Sequence, residues 1–99
     1  MNIQALMKQA QNLQKDMLKA KEEIDNTIFR ETKNNITIKC NGKKEIQQIE
    51  FAQELNLQKI DEELLADLLL ISINDLFKKV DAETETKLGK FNNSLPGIL

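Results

Sequence analysis

Along the first quarter of the chain, apolar residues recur at Ile3, Leu6, Ala10, Leu13, Met17, Ala20 and Ile24, in alternating steps of three and four. A 3.5-residue period held over three heptads predicts a helix with a narrow apolar seam, which pairs with one partner helix rather than lying on a broad core. The segment has no Gly or Pro and is rich in Gln, Lys, Leu and Ala. A helix is therefore expected over residues 1–25, roughly 23 residues and ~35 Å long. It should end near Asp25–Thr27, where helix propensity falls. In a chain of 99 residues, the partner of this seam is either the other long helix or a second copy of the same one.

Between residues 27 and 51 the apolar period changes to two, which predicts a three-stranded antiparallel β-meander. "TIFRET" is the expected first strand, "KNN" a polar turn, "ITIKC" the second strand, "NG" a two-residue turn and "KEIQQIEF" the third strand. Asn-Gly suits a type I′ turn, whose two central residues both need positive φ. With Asn41 and Gly42 central, Cys40 would oppose Lys43, Lys39 would oppose Lys44, Ile38 Glu45, Thr37 Ile46 and Ile36 Gln47. Ile36, Ile38 and Cys40 would then share the core face with Ile49 and Phe51. Thr37, Lys39, Lys44, Ile46, Gln48 and Glu50 would face the other way. Lys39 against Lys44 would be a like-charge pair, which a sheet tolerates poorly unless an anion relieves it.

A second helix is expected within residues 58–81, around "IDEELLADLLLISINDLFKKV" at 60–80. Acids fill its first turn and Lys78 and Lys79 its last, as the helix dipole favours. Leu65, Leu68, Leu69, Ile73, Leu76 and Val80 form one apolar face, widened by Leu64 and Ile71. The opposite stripe of Glu63, Asp67, Asn74, Lys78 and Asp81 is interrupted by Leu70. A helix this apolar needs cover on more than one side, and a homodimer supplies it. Gly89 is placed to cap a last turn, and residues 88–99 read as a flexible tail. The chain is thus expected to be a single α+β domain with a long N-terminal helix, a β-meander and a C-terminal helix.

Composition removes most chemistry. The chain has no His, and one Cys, Cys40, on the expected core face of a strand. Imidazole acid–base catalysis, Cys/His zinc sites and an internal disulfide are all excluded. No glycine-rich phosphate loop, nucleophile elbow or carboxylate cluster at metal spacing is present, so no enzyme activity, cofactor, metal or small-molecule substrate is expected. The longest apolar run, Leu68 to Ile73, is far short of the ~20 residues of a membrane span. With neither a signal nor a transit pattern at the N-terminus, the cytoplasm is the expected compartment and a membrane is not an expected partner.

Charge changes the picture more. The net charge of −2 divides unevenly: residues 1–44 hold nine bases against five acids, and residues 45–99 five against eleven. Lys8, Asn12, Lys15 and Lys19 recur at steps of four, three and four, in one row along the first helix away from the seam. Three lysines along ~17 Å of helix could follow a phosphate backbone. Outer positions of a paired helix are also commonly Lys, Gln and Glu, so a solvated face remains the alternative. Arg30 is the one arginine and Tyr and Trp are absent, which leaves little for reading guanine or stacking on bases. If nucleic acid is the ligand, the expected mode is lysine–phosphate contact with duplex DNA, without sequence specificity and sensitive to salt.

Four segments in this order, "LMKQAQNLQKDM" at 6–17, "NGKKEI" at 41–46, "LLADLLLISINDLFKK" at 64–79 and "LPG" at 95–97, resemble the YbaB/EbfC family of bacterial nucleoid-associated proteins. The resemblance implies a tweezers-like, intertwined homodimer whose protomers join their sheets and helices and which binds double-stranded DNA at the nucleoid without enzymatic activity. It makes Lys8 and Lys15, with Lys19 on the same row, and Lys43 and Lys44 after the "NG" turn candidate DNA contacts. Lys39 joins them from the hairpin. Ile3, Leu6, Leu13, Met17, Leu69, Leu70 and Ile73 are the expected dimer contacts. The chain departs from the family at "KNN", where a glycine-rich connection is usual, and at Ile71–Ile73, where small residues are usual. The alternative function, from a different class, is a dimeric protein-interaction module using the apolar surface of the second helix around Leu70.

Overall fold

The computed structural model describes residues 2–91 and has the expected α+β order: helix α1 (Ile3–Asp25), strands β1 (Phe29–Lys33), β2 (Ile36–Cys40) and β3 (Ile46–Phe51), and helix α2 (Glu62–Leu88), which ends in a short 3-10 turn (Gly89–Phe91). Both long helices start on a side-chain cap. Asn2 Oδ1 accepts from the Ala5 N–H at 3.3 Å and Asp61 Oδ2 from the Leu64 N–H at 3.2 Å, each taking one of the donors that a helix start leaves unpaired.

The last four carbonyls of α1 are all satisfied, and this sets where β1 begins. Glu22 O accepts from the Asn26 N–H, Glu23 O from the Thr27 hydroxyl at 2.7 Å, and Ile24 O from the Thr27 N–H. Asp25 O accepts from the N–H of Gly42, across the fold, at 3.3 Å. Thr27 is thus committed to ending the helix, and the strand expected to start there starts at Phe29 instead.

The sheet has the order β1-β2-β3, antiparallel throughout. Its turns reverse the expected roles. Asn34 and Asn35, at φ 54° and 65°, form the tight connection with both central residues at positive φ, and Lys33 pairs with Ile36. The Asn41–Gly42 connection is a longer loop. Asn41 Oδ1 accepts from the N–H groups of Lys43 and Glu45, and the left-handed residue is Lys44, at φ 61°. Gly42 is needed for another reason: a Cβ there would lie 1.9 Å from the carbonyl oxygen of Ile24.

The longer loop moves the β2–β3 register. Ile38 opposes Ile49 rather than Glu45, a shift of four that keeps the faces, so Ile36 and Ile38 do share a side with Phe51 and Ile49. A bulge at Lys39–Cys40 then skips Gln47 and brings Ile46 opposite Cys40. This corrects two expectations. Ile46 lies on the apolar side, and Lys39 faces Gln48, so the Lys39–Lys44 like-charge pair does not exist.

Helix α2 packs over β1 and β2. Phe29, Ile36, Ile38, Cys40, Leu76 and Val80 form the buried core, flanked by Leu65, Leu68, Leu69, Ile73 and Phe77. It does not cover β3, whose Ile46, Ile49 and Phe51 stay exposed. The helix also continues past the expected end at residue 81. Residues 81–87 carry no apolar period but no Gly or Pro either, and Thr84 and Thr86 return their hydroxyls to the carbonyls of Val80 and Ala82. The extension places Leu88 and Phe91 against Met17 and Ile24 of α1 in a second buried cluster. Leu88 and Phe91, at the start of the expected flexible tail, are therefore packed, and Gly89 continues in right-handed geometry, its N–H donating to Glu85 O. Residues 92–99, with "LPG", lie outside the described residues. Because the helices meet near their C-terminal ends, the molecule is long: 72 × 18 × 14 Å, with a radius of gyration of 19.5 Å where a compact chain of this length has ~13 Å.

Candidate nucleic-acid interface

The seam of α1 is covered along only part of its length. Met17 and Ile24 are buried and Ala20 partly so, Leu13 is half-buried, and Leu6 and Ile3 are exposed, Ile3 by 68 %. The N-terminal half of the helix therefore projects with its seam unpartnered within the chain. On its other side Lys8, Lys15 and Lys19 are all exposed, and none has an ion-pair partner among the described residues. Glu22, Glu23 and Asn26 line a hollow with Lys19, so acids close the row at its C-terminal end.

The hairpin lysines are brought to three different places. Lys39 lies on the side of the sheet away from α2, opposite Arg30 on β1 and Gln48 on β3. Lys43 is exposed in the loop, its N–H held by Asn41. Lys44 turns toward α2. Its Nζ lies 2.5 Å from Asp81 Oδ1 and 6.0 Å from the centre of the Phe77 ring, so the cluster foreseen at residues 39–44 is dispersed and one of its charges is already paired. The Gly42–Asp25 contact draws the loop to the end of α1, ~9 Å along the helix from Lys19.

Of the expected dimer contacts, Ile3, Leu6 and Leu70 are exposed, Leu70 by 60 %. Met17 is consumed by the contact with Leu88 and Phe91, and Leu69 and Ile73 are half-buried against the chain's own core. The apolar surface left open includes Ile3, Leu6, Met7 and Leu18 on α1, Ile28 and Leu57 in the connections, the β3 side chains, and Leu64, Leu70 and Ile71 on α2.

Elsewhere, Lys33 Nζ sits 2.6 Å from Asp75 Oδ2, bridging β1 and α2. This hydrogen bond holds the Asp75 carboxyl below the usual carboxylate range and raises Lys33 above the usual lysine value. Burial pushes the Cys40 thiol up, which keeps it neutral in the core, as its expected position implied. Among the described residues no group of His, Cys, Asp and Glu could hold a metal ion, and no helix is long and apolar enough to cross a membrane. Sequence reasoning missed the opposition of Arg30 to Lys39 and the pairing of Lys44 with Asp81. The first was available by treating Asn34–Asn35 as the two-residue turn. The second depends on how α2 lies on the sheet, for which the sequence carries no signal.

The helix–meander–helix order with a lysine-bearing, half-uncovered first helix is accompanied by a family match over residues 1–95, to the YbaB/EbfC DNA-binding family. The chain belongs to that family. Among curated proteins it is similar to a nucleoid-associated protein of Ligilactobacillus salivarius, 33% identical over 99% of this chain and 95% of the other. One of Lactococcus lactis subsp. lactis is 36% identical over 97% and 98%. One of Chloroflexus aurantiacus is 37% identical over 99% of both chains. Each of these similarities spans both helices and the meander of this YbaB/EbfC chain.

Proposed function

We propose that this YbaB/EbfC chain is a nucleoid-associated protein that binds double-stranded DNA as a homodimer, largely without sequence specificity, through lysine–phosphate contacts. The observation that carries the reading is the projecting half of α1, where Lys8, Lys15 and Lys19 stand exposed behind an uncovered apolar seam, with no ion-pair partner among the described residues. A second copy covers the seam and the open faces of β3 and α2, and the lysines remain outward to meet phosphate. Lys43 adds to them from the loop beside the end of α1. Lysine supplies point charges that position a protein on a duplex without reading bases, which fits a chain with one arginine and no Tyr or Trp.

Binding of duplex DNA measured across salt concentrations tests this. The logarithm of the association constant should fall linearly with the logarithm of salt. Replacing Lys8, Lys15 and Lys19 by Gln should reduce the slope by up to about three units, about 0.9 for each phosphate that is no longer neutralised. An unchanged slope removes the helix row from the interface. Absence of binding at low salt removes DNA as the ligand and leaves the second reading, a protein-interaction module. That reading is favoured by Leu70, exposed by 60 % in the first third of α2 with Leu64 and Ile71 nearby.

A further inference from the structure

The side of the sheet turned away from α2 carries cations of its own, and the β1–β2 register decides where. Phe29, Glu31 and Lys33 pair with Cys40, Ile38 and Ile36, and α2 packs over that side. Arg30 and Lys39 therefore stand on the outer side, directly opposite one another. Opposed side chains keep their Cβ atoms about 4.5–5.5 Å apart, where like charges destabilise a sheet. The chain has 16 acids for 14 bases, and Lys21, Lys33, Lys44 and Lys87 each pair with one of them, yet neither Arg30 nor Lys39 has such a partner among the described residues.

A third cation reaches the backbone of Arg30 from another element. Lys79 of α2 extends its Nζ to the Arg30 carbonyl, at 3.1 Å, and it too lacks an ion-pair partner among the described residues. Because β1 is an edge strand, this contact lies at the open margin of the sheet. Neither nearby acid forms an ion pair with these cations among the described residues. Glu31 lies on the α2 side of the strand, and Glu50, opposite Thr37 on the outer side, accepts a hydrogen bond from the Gln48 amide. Besides Glu50, the neighbouring outer positions are neutral and polar: Thr32 and Thr37, whose hydroxyls are 2.8 Å apart, and Gln48 beside Lys39.

We propose that Arg30 and Lys39, backed by Lys79, form a second phosphodiester-binding site on the outer face of the sheet, separate from the lysine row of α1. The proposal rests on the DNA-binding reading above. A phosphate between the opposed cations replaces their repulsion by attraction to one anion. Arg30 contributes a planar fork that can take two phosphate oxygens, and Lys39 contributes a point charge. The threonine hydroxyls and the Gln48 amide are the neutral donors that commonly accompany such contacts.

The test compares duplex DNA binding across salt for the wild type, Arg30→Gln, Arg30→Lys, and Arg30→Gln combined with Lys39→Gln, with urea unfolding of each. The double variant should flatten the salt dependence by about two units, about 0.9 for each cation removed from a phosphate. Its urea midpoint should stay level or rise, because the like-charge pair is gone, so weaker binding is not loss of fold. Arg30→Lys should recover the slope that Arg30→Gln forfeits while binding more weakly than the wild type. A double variant with the wild-type slope, or an Arg30→Lys that fails to restore it, overturns this site alone. A wild-type chain that does not bind DNA at low salt overturns both this site and the reading beneath it.

Discussion

A methyl group at residue 42 would stand 1.9 Å from the carbonyl oxygen of Ile24 and closer than 3 Å to the backbone N of Asp25, with no flexible side chain to give way. Gly42→Ala should therefore push the hairpin loop off the end of α1 and break the Gly42–Asp25 hydrogen bond, a destabilisation of about 1–3 kcal/mol by urea unfolding. The asparagines of the first turn depend on a different property of the backbone. Asn35→Gly should be neutral or slightly stabilising at φ 65°, whereas Asn35→Val should cost about 1–2 kcal/mol in the same measurement. Asn-Gly as a type I′ signal led to the wrong turn because it ignores what packs on the glycine. Asn41 instead binds two loop amides with its side chain, and the close approach of α1 accounts for Gly42.

Between elements, the Lys33–Asp75 pair ties edge strand β1 to α2. Asp75 is depressed chiefly by the hydrogen bond from Lys33, so its contribution to stability is present above the ordinary aspartate pKa of ~4 and is lost as pH falls through the lower folded value. Lys33 is raised by the same bond, so its contribution holds below the ordinary lysine pKa and is lost as pH rises through the folded value. Urea midpoints measured against pH should thus show a gap between the wild type and Asp75→Asn across the neutral range, closing at both extremes. The gap should be small, because the pair is exposed to solvent. A gap that persists below pH ~2 would show that Asp75 acts through something other than its charge. Both helices were legible as elements because their apolar periods are long. The end of α2 was not, because residues 81–87 contribute no apolar contact, and the reason to stay helical comes from Leu88 and Phe91 beyond them.

For the whole molecule, the exposed stretch from Ile3 to Leu6 and the bare face of β3 concern assembly. If a second copy covers the seam, Leu6→Glu should shift the sedimentation equilibrium toward monomer and weaken DNA binding with it, since charges at a buried helix seam are strongly unfavourable. The fold of each protomer should survive, because Leu6 touches neither buried cluster. An unchanged association state would exclude the N-terminal seam from the dimer contact. The elongated shape follows from the same division of labour: α1 uses Met17 and Ile24 on its own chain and leaves its first half to project.

The sequence by itself determined the α+β order, the heptad seam, the lysine row of α1 and the absence of histidine, because periodicity, composition and helical spacing are local properties. It also determined the family, because the chain matches from residue 1 to 95. The tertiary structure alone decided which half of the seam is covered, that Lys44 faces Asp81, and that Gln48 rather than Lys44 stands opposite Lys39 on β3. Each of these depends on strand register or on helix placement. A shift of four residues leaves the pattern of faces intact while a shift of three inverts it, and only packing distinguishes the two.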